Sequence, residues 1–157
     1  MAKKKAPSCD WTENKTISKK QKEKNRIYRH NGDYTWTGIK TEQYKPERDN
    51  WSSIVRRVLI GGHGEKTKFH VRYFEIAPGG SSSFEKHRHE HVVIVVRGKG
   101  HIRIGKKKSS IGFLDTSYIK PDTTHQLSNP FNEPFGFLCI VNAKRDRPIL
   151  LLQYQGK

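Results

Sequence analysis

The sequence predicts an all-β domain, an antiparallel sandwich or barrel, preceded by a loose basic tail. Three observations carry this. Apolar runs are short, turn residues separate them every few positions, and no segment holds a long helical period. At 157 residues the chain fits one domain with one core.

The elements follow in order. Met1–Arg26 is nearly devoid of large apolar residues and carries nine Lys/Arg against three Asp/Glu, so it supplies +6 of the formal +16. Such a segment cannot bury enough surface to offset its conformational entropy, and it is expected to be disordered over about residues 1–27. Residues 28–67 are expected to add N-terminal strands that pack on the barrel or on a dimer partner, with candidate strands at 34–39 (YTWTGI) and 55–61 (VRRVLIG). The barrel itself is expected over 68–150, with a short C-terminal tail at 151–157. Its strands read KFHVRYFEIA (68–77), EHVVIVVRG (90–98), GHIRIG (100–105), SSIGFLD (109–115), SYIKP (117–121), HQLSNP (125–130) and FGFLCIVN (135–142). Between them lie Pro78-Gly79-Gly80, Gly98-Lys99-Gly100, Gly105 to Lys108, Pro121-Asp122, Asn129-Pro130 and Asn132-Glu133-Pro134, each a turn former.

Several function classes drop away. Cys9 and Cys139 form no CxxC pair and suggest neither a disulfide framework nor a thiolate zinc site. Cys139 in FGFLCIV reads as a small buried apolar residue. No apolar run follows the basic N-terminus and no stretch approaches a membrane span, which points to a soluble cytoplasmic protein. The tail could attract phosphates, yet it lacks a repeated aromatic-basic pattern, so nucleic acid is not the expected partner.

The chemistry concentrates in SFEKHRHEHVVIVVRGKG (83–100). Glu85, His87, His89 and His91 share parity. On extended backbone they face one way, and after a turn some subset still converges. A solvent-facing polar hairpin tip would suit one histidine. Three at alternate positions, beside a glutamate and at the mouth of an apolar strand, point to a metal. Imidazole and carboxylate without thiolate suit divalent Fe, Mn, Ni, Co or Zn. His125, just past the Pro121 turn and leading a strand, adds an imidazole from a distant segment. His30, His63, His70 and His101 read as loop or strand residues without a ligand role.

These residues resemble the two motifs of the cupin superfamily, and the chain looks like a small single-domain cupin. The first motif is Gly, five residues, His-x-His, three or four residues, Glu, six residues, Gly. Gly79, Glu85, His87, His91 and Gly98 hold its spacing, with Glu85 where the first His is usual and His91 where Glu is usual. A shift of two residues makes His87 and His89 the His-x-His pair instead. His87, His91 and His125 belong to both alignments, and Glu85 and His89 compete for the fourth position. The second motif is carried by His125 and Asn129, whereas Leu114, Lys120 and Asp122 replace its Gly, Pro and Gly. The resemblance spans about residues 68–142. It implies a six- to eight-stranded jelly-roll barrel with a metal in one mouth, and often a homodimer. It also implies a small-molecule ligand or substrate, with dioxygenase or decarboxylase action on a small organic acid as the leading activity and a non-catalytic binding module as the alternative. Val93, Val95 and Leu127 are in phase with the histidines and should line the wall, with Tyr73, Phe74, Tyr118 and Phe137 as further candidates. Arg72, Arg97 or Arg103 could hold a carboxylate bidentately.

Overall fold

A computed structural model describes residues 23–45 and 50–151. Most of the expected basic tail and nearly all of the C-terminal tail lie outside the described residues. Among those described, no helix forms, and none is long and apolar enough to cross a membrane.

The described residues form eleven strands, all paired antiparallel: β1 (Glu42–Gln43), β2 (Ser52–Ile60), β3 (Phe69–Ser81), β4 (Glu85–Lys86), β5 (His91–Arg97), β6 (Gly100–Ile104), β7 (Lys107–Ile111), β8 (Thr116–Ile119), β9 (His125–Ser128), β10 (Phe135–Asn142) and β11 (Ile149–Leu150). One face of the barrel runs β1-β2-β3-β10-β5-β8, and the other runs β7-β6-β9-β4-β11. The end of β3 stitches the two together where Ser81 pairs with Ser128. Gly79 makes that crossing possible. It sits at φ 79, and its N–H donates to Asn129 O at 2.8 Å while Asn129 N–H returns to Gly80 O at 2.9 Å.

Strand periodicity sets what faces inward. Val93 and Val95 of β5, Phe74 and Ile76 of β3, Leu127 of β9, and Phe135, Phe137, Cys139 and Val141 of β10 are buried in one cluster. The register pairs Phe137 with Phe74 and with Val95, so the inward residues of three strands meet in layers. Following the same parity outward reaches His91 on β5 and His125 on β9. Both therefore stand at the open end of the apolar core, as extended strands require.

One expected strand is absent. Residues 34–39 form turns, with only a His30–Trp36 bridge. Asn31 N–H donates to Thr35 O and Thr37 N–H to Arg29 O, so the backbone groups are satisfied locally, and Tyr34 takes φ 60. The aromatic residues that suggested a strand instead cap the outside of β3: Tyr34 stacks on Tyr73 at 5.8 Å and Trp36 meets the same ring at 5.2 Å. The strand at 55–61 is real and starts earlier, and β2 extends the sheet beside β3.

Candidate metal centre

The histidine segment is not one continuous strand. β4 ends at Lys86, a bend covers residues 88–89, and β5 begins at His91. Two anchors fix this bend. Asp122 N–H donates to His87 O at 2.7 Å. The Asp146 carboxylate accepts from Arg88 N–H at 2.7 Å and His89 N–H at 3.2 Å, and bonds His89 Nδ1 at 2.8 Å. These donors hold the Asp146 carboxyl down at about 2 despite the opposing effect of burial.

The result is convergence. His87, His91 and His125 each present a ring nitrogen, all within 4.8 Å of one another, and could hold a metal ion. The outer ring nitrogens are already occupied. His87 Nδ1 lies 2.7 Å from His89 O, His125 Nδ1 lies 2.8 Å from Thr123 O, and His91 Nδ1 lies 3.1 Å from Cys139 Sγ. A carbonyl partner assigns the proton to Nδ1 and leaves Nε2 as a lone pair, the arrangement metal-binding histidines show. The Nε2 atoms of His87 and His91 face each other at 2.7 Å. His91 Nδ1 faces a thiol that can donate or accept, so its Nε2 can share a proton with His87 Nε2 or join it on a cation, and with His125 the three nitrogens fit a divalent ion.

Burial opposes protonation. It is the first cause that pushes the His87 pKa down to about 3, with His89 and His125 adding repulsion. His89, His91 and His125 are lowered for the same primary reason. The site is thus a cluster of neutral imidazoles, the protonation state a metal needs.

The two competitors for a fourth position sit beside this triad. His89 stacks on His87 with centroids 3.6 Å apart, and Asp146 holds its Nδ1. Glu85 pairs with His125 across β4 and β9, and its carboxylate is engaged by Lys45 in a buried ion pair. His30, His63, His70 and His101 lie outside the triad. His63 Nε2 bonds Val58 O at 2.7 Å, and His30 accepts from Tyr34 N–H at 3.0 Å.

A pocket opens over His89, His91 and His125, with His87 behind them outside its lining. Val93, Leu127, Phe74 and Phe137 form its apolar wall, and Arg72 lines it, all as the sequence suggested. Val95 lies deeper in the core. Tyr73 faces the opposite side of β3, and Tyr118 is exposed. Arg97 pairs with Glu75, and Arg103 stacks over Phe84, so neither reaches the pocket. Sequence reasoning missed Lys45, Arg56, Arg145 and Asp146, which also line it. They come from segments flanking the motif region, where charge alone gives no hint of direction. Cys139 is buried, as expected, but its sulfur contacts His91 and Arg72 on the pocket wall.

Residues 72–141 match the Cupin domain model. Over 118 residues the chain is 40% identical to a Rhodospirillum rubrum protein named 1-methylthio-D-xylulose 5-phosphate methylsulfurylase, with 74% of each chain covered. A solved cupin-2 domain from Rhodospirillum rubrum is 37% identical with a TM-score of 0.70, covering 81% of this chain and 84% of that one. A cupin 2 conserved barrel domain protein from Rhodopseudomonas palustris is 32% identical with a TM-score of 0.73, covering 80% and 86%. The domain model, the 40% identical relative and the superposable barrel make one assignment from sequence and from structure: the chain belongs to the cupin family.

Proposed function

We propose that the chain is a metal-dependent enzyme acting on a small phosphorylated sugar that carries a thioether, the substrate type in its Rhodospirillum rubrum relative's name. The observation that carries the metal part is the set of Nδ1 atoms already engaged while the Nε2 atoms of His87 and His91 face each other at 2.7 Å. His87, His91 and His125 hold the ion. The fourth position belongs to Glu85 or His89, and each needs a rearrangement to reach it: Glu85 is engaged by Lys45, and the His89 ring lies parallel to His87 at 3.6 Å, so the two in-plane lone pairs do not meet on one ion. The nitrogen-rich set suits divalent Fe, Mn, Ni, Co or Zn. When bound, the ion supplies a Lewis acid for a carbonyl or hydroxyl oxygen.

The chain's own residues do the rest. Phe74, Phe137, Val93 and Leu127 exclude water and give a thioether methyl an apolar, partly aromatic wall. This substrate class takes precedence over the plain organic acid, and over oxygenase or decarboxylase action, on the strength of the 40% relative.

The test has two parts. His91→Ala and His125→Ala are expected to purify metal-depleted while His63→Ala retains metal. The loaded protein is expected to consume 1-methylthio-D-xylulose 5-phosphate with loss of its methylthio proton signal. Full metal content in a triple alanine variant at 87, 91 and 125 would refute the site. An inert sugar phosphate together with O₂ uptake on an organic acid would favour the oxygenase reading instead.

A further inference from the structure

Four cations line the pocket, and they are not equivalent. Lys45 is engaged by Glu85. Arg56 is held by Glu42, through Nε at 3.1 Å and Nη2 at 2.7 Å. Among the described residues, Arg72 and Arg145 have no carboxylate partner. Arg72 Nε is buried without any hydrogen-bond partner, and Arg72 Nη2 reaches only the Cys139 sulfur at 3.4 Å, a weak acceptor. Its guanidinium lies over the Phe74 ring at 5.1 Å. Arg145 Nη1 donates to Asn142 O at 2.6 Å and lies 3.1 Å from His70 Nδ1, which leaves its other donors uncommitted.

The pocket's own carboxylates cannot serve these two guanidinium groups. Glu85 is taken by Lys45, and Asp146 by His89 and the backbone of the bend. Burial first, and then the charge of Arg72, push Arg145 down to about 10. Two guanidinium groups without a carboxylate partner, repelling each other in one partly dry wall, are the physical description of an oxyanion subsite.

We infer that Arg72 and Arg145 form the subsite for a dianionic phosphate, placed beside the imidazole cluster on the β3–β10 side of the pocket. The inference rests on the proposed substrate class. Arg72 is the register partner of Cys139, and the Cys139 sulfur touches His91. The phosphate therefore binds within reach of the ion but on separate donors. A phosphomonoester supplies three oxygens and two charges, enough to accept from both forks at once, whereas a single carboxylate neutralises only one.

The probe is inorganic phosphate, followed by ³¹P NMR titration against full-length protein, both metal-loaded and chelator-treated. Acetate is the carboxylate comparison. Binding is expected in both metal states, tighter than acetate and weakened by salt. Arg72→Gln and Arg145→Gln are each expected to lower phosphate affinity tenfold or more, and Arg103→Gln to leave it unchanged. Arg72→Lys serves where Arg72→Gln fails to fold, and is expected to lose most of the affinity because one ammonium cannot replace the fork. Binding that vanishes on metal removal, or that survives in the Arg72/Arg145 double variant, would overturn the assignment. So would acetate binding as tightly as phosphate. Turnover separates this from the substrate reading. If phosphate binds through these arginines while the thioether sugar phosphate is inert, the subsite stands and the substrate reading falls. If the sugar phosphate turns over with unchanged KM in both arginine variants, the subsite falls alone.

Discussion

Replacing Lys45 with methionine isolates the most buried charge pair among the described residues. The Lys45 and Glu85 side chains are each 8% exposed, and Lys45 Nζ also donates to Ser83 Oγ at 3.2 Å. Methionine keeps the length of the lysine stem, so little volume is lost. What remains is a carboxylate in the barrel wall, strand-paired to His125, without its cation. Removing one member of a buried pair costs about 3–5 kcal/mol, and replacing both members by apolar residues is close to neutral. For a domain of this size each kcal/mol moves Tm by about 2–4 °C, so Lys45→Met is expected to melt about 10 °C lower. The double variant Lys45→Met/Glu85→Met is expected to recover most of that loss. Melts belong in chelator, because a bound ion adds its own stabilisation. A Lys45→Met protein that melts within about 2 °C of the parent, with no gain in the double variant, would refute the reasoning, since it falls outside the expected range.

Three further outcomes follow from local geometry. Asn129 is 1% exposed, donates to Ile76 O and Glu133 O, and accepts from Phe131 N–H; Asn129→Ala is expected to lose about 3 kcal/mol in denaturant titrations, because buried carbonyls are left unpaired. A β-carbon on Gly100 would lie 2.3 Å from the Phe135 ring, so Gly100→Ala is expected to cost about 1–3 kcal/mol through overpacking, read by the same titration. His70 is lowered to about 4, first by burial and then by Arg145 and Arg72. Its folded pKa lies below the ordinary 6.5, so the unfolded chain binds the extra proton and this residue's effect lowers stability as pH falls from 6.5 toward 4. Arg145→Gln is expected to raise the His70 midpoint in an NMR titration; an unchanged midpoint would show that Arg145 does not act on it.

Much of this protein was legible in the chain alone. Strand parity placed Val93 and His91 on one face, and Leu127 and His125 on another, because the side-chain period of two is a local property. Turn chemistry at Gly105 located the β6–β7 hairpin, and that at Gly98 to Gly100 and at Pro121-Asp122 located the crossings between the two faces, for the same reason. The tertiary structure decided the rest. Tyr34–Ile39 reads as strand by composition yet folds into turns, since its rings gain more by capping Tyr73 than by extending a sheet. The roles of Glu85 and His89 depend on Lys45 and Asp146, which lie 40 and 57 residues away. Arg72 and Arg145 differ from Arg56, Arg97 and Arg103 only in which partner lies within reach, and partners are set by how the strands pair across the barrel. Local sequence determines which way a side chain points from its strand. Only the curled sheet determines what it points at, because those contacts join segments that the chain keeps far apart.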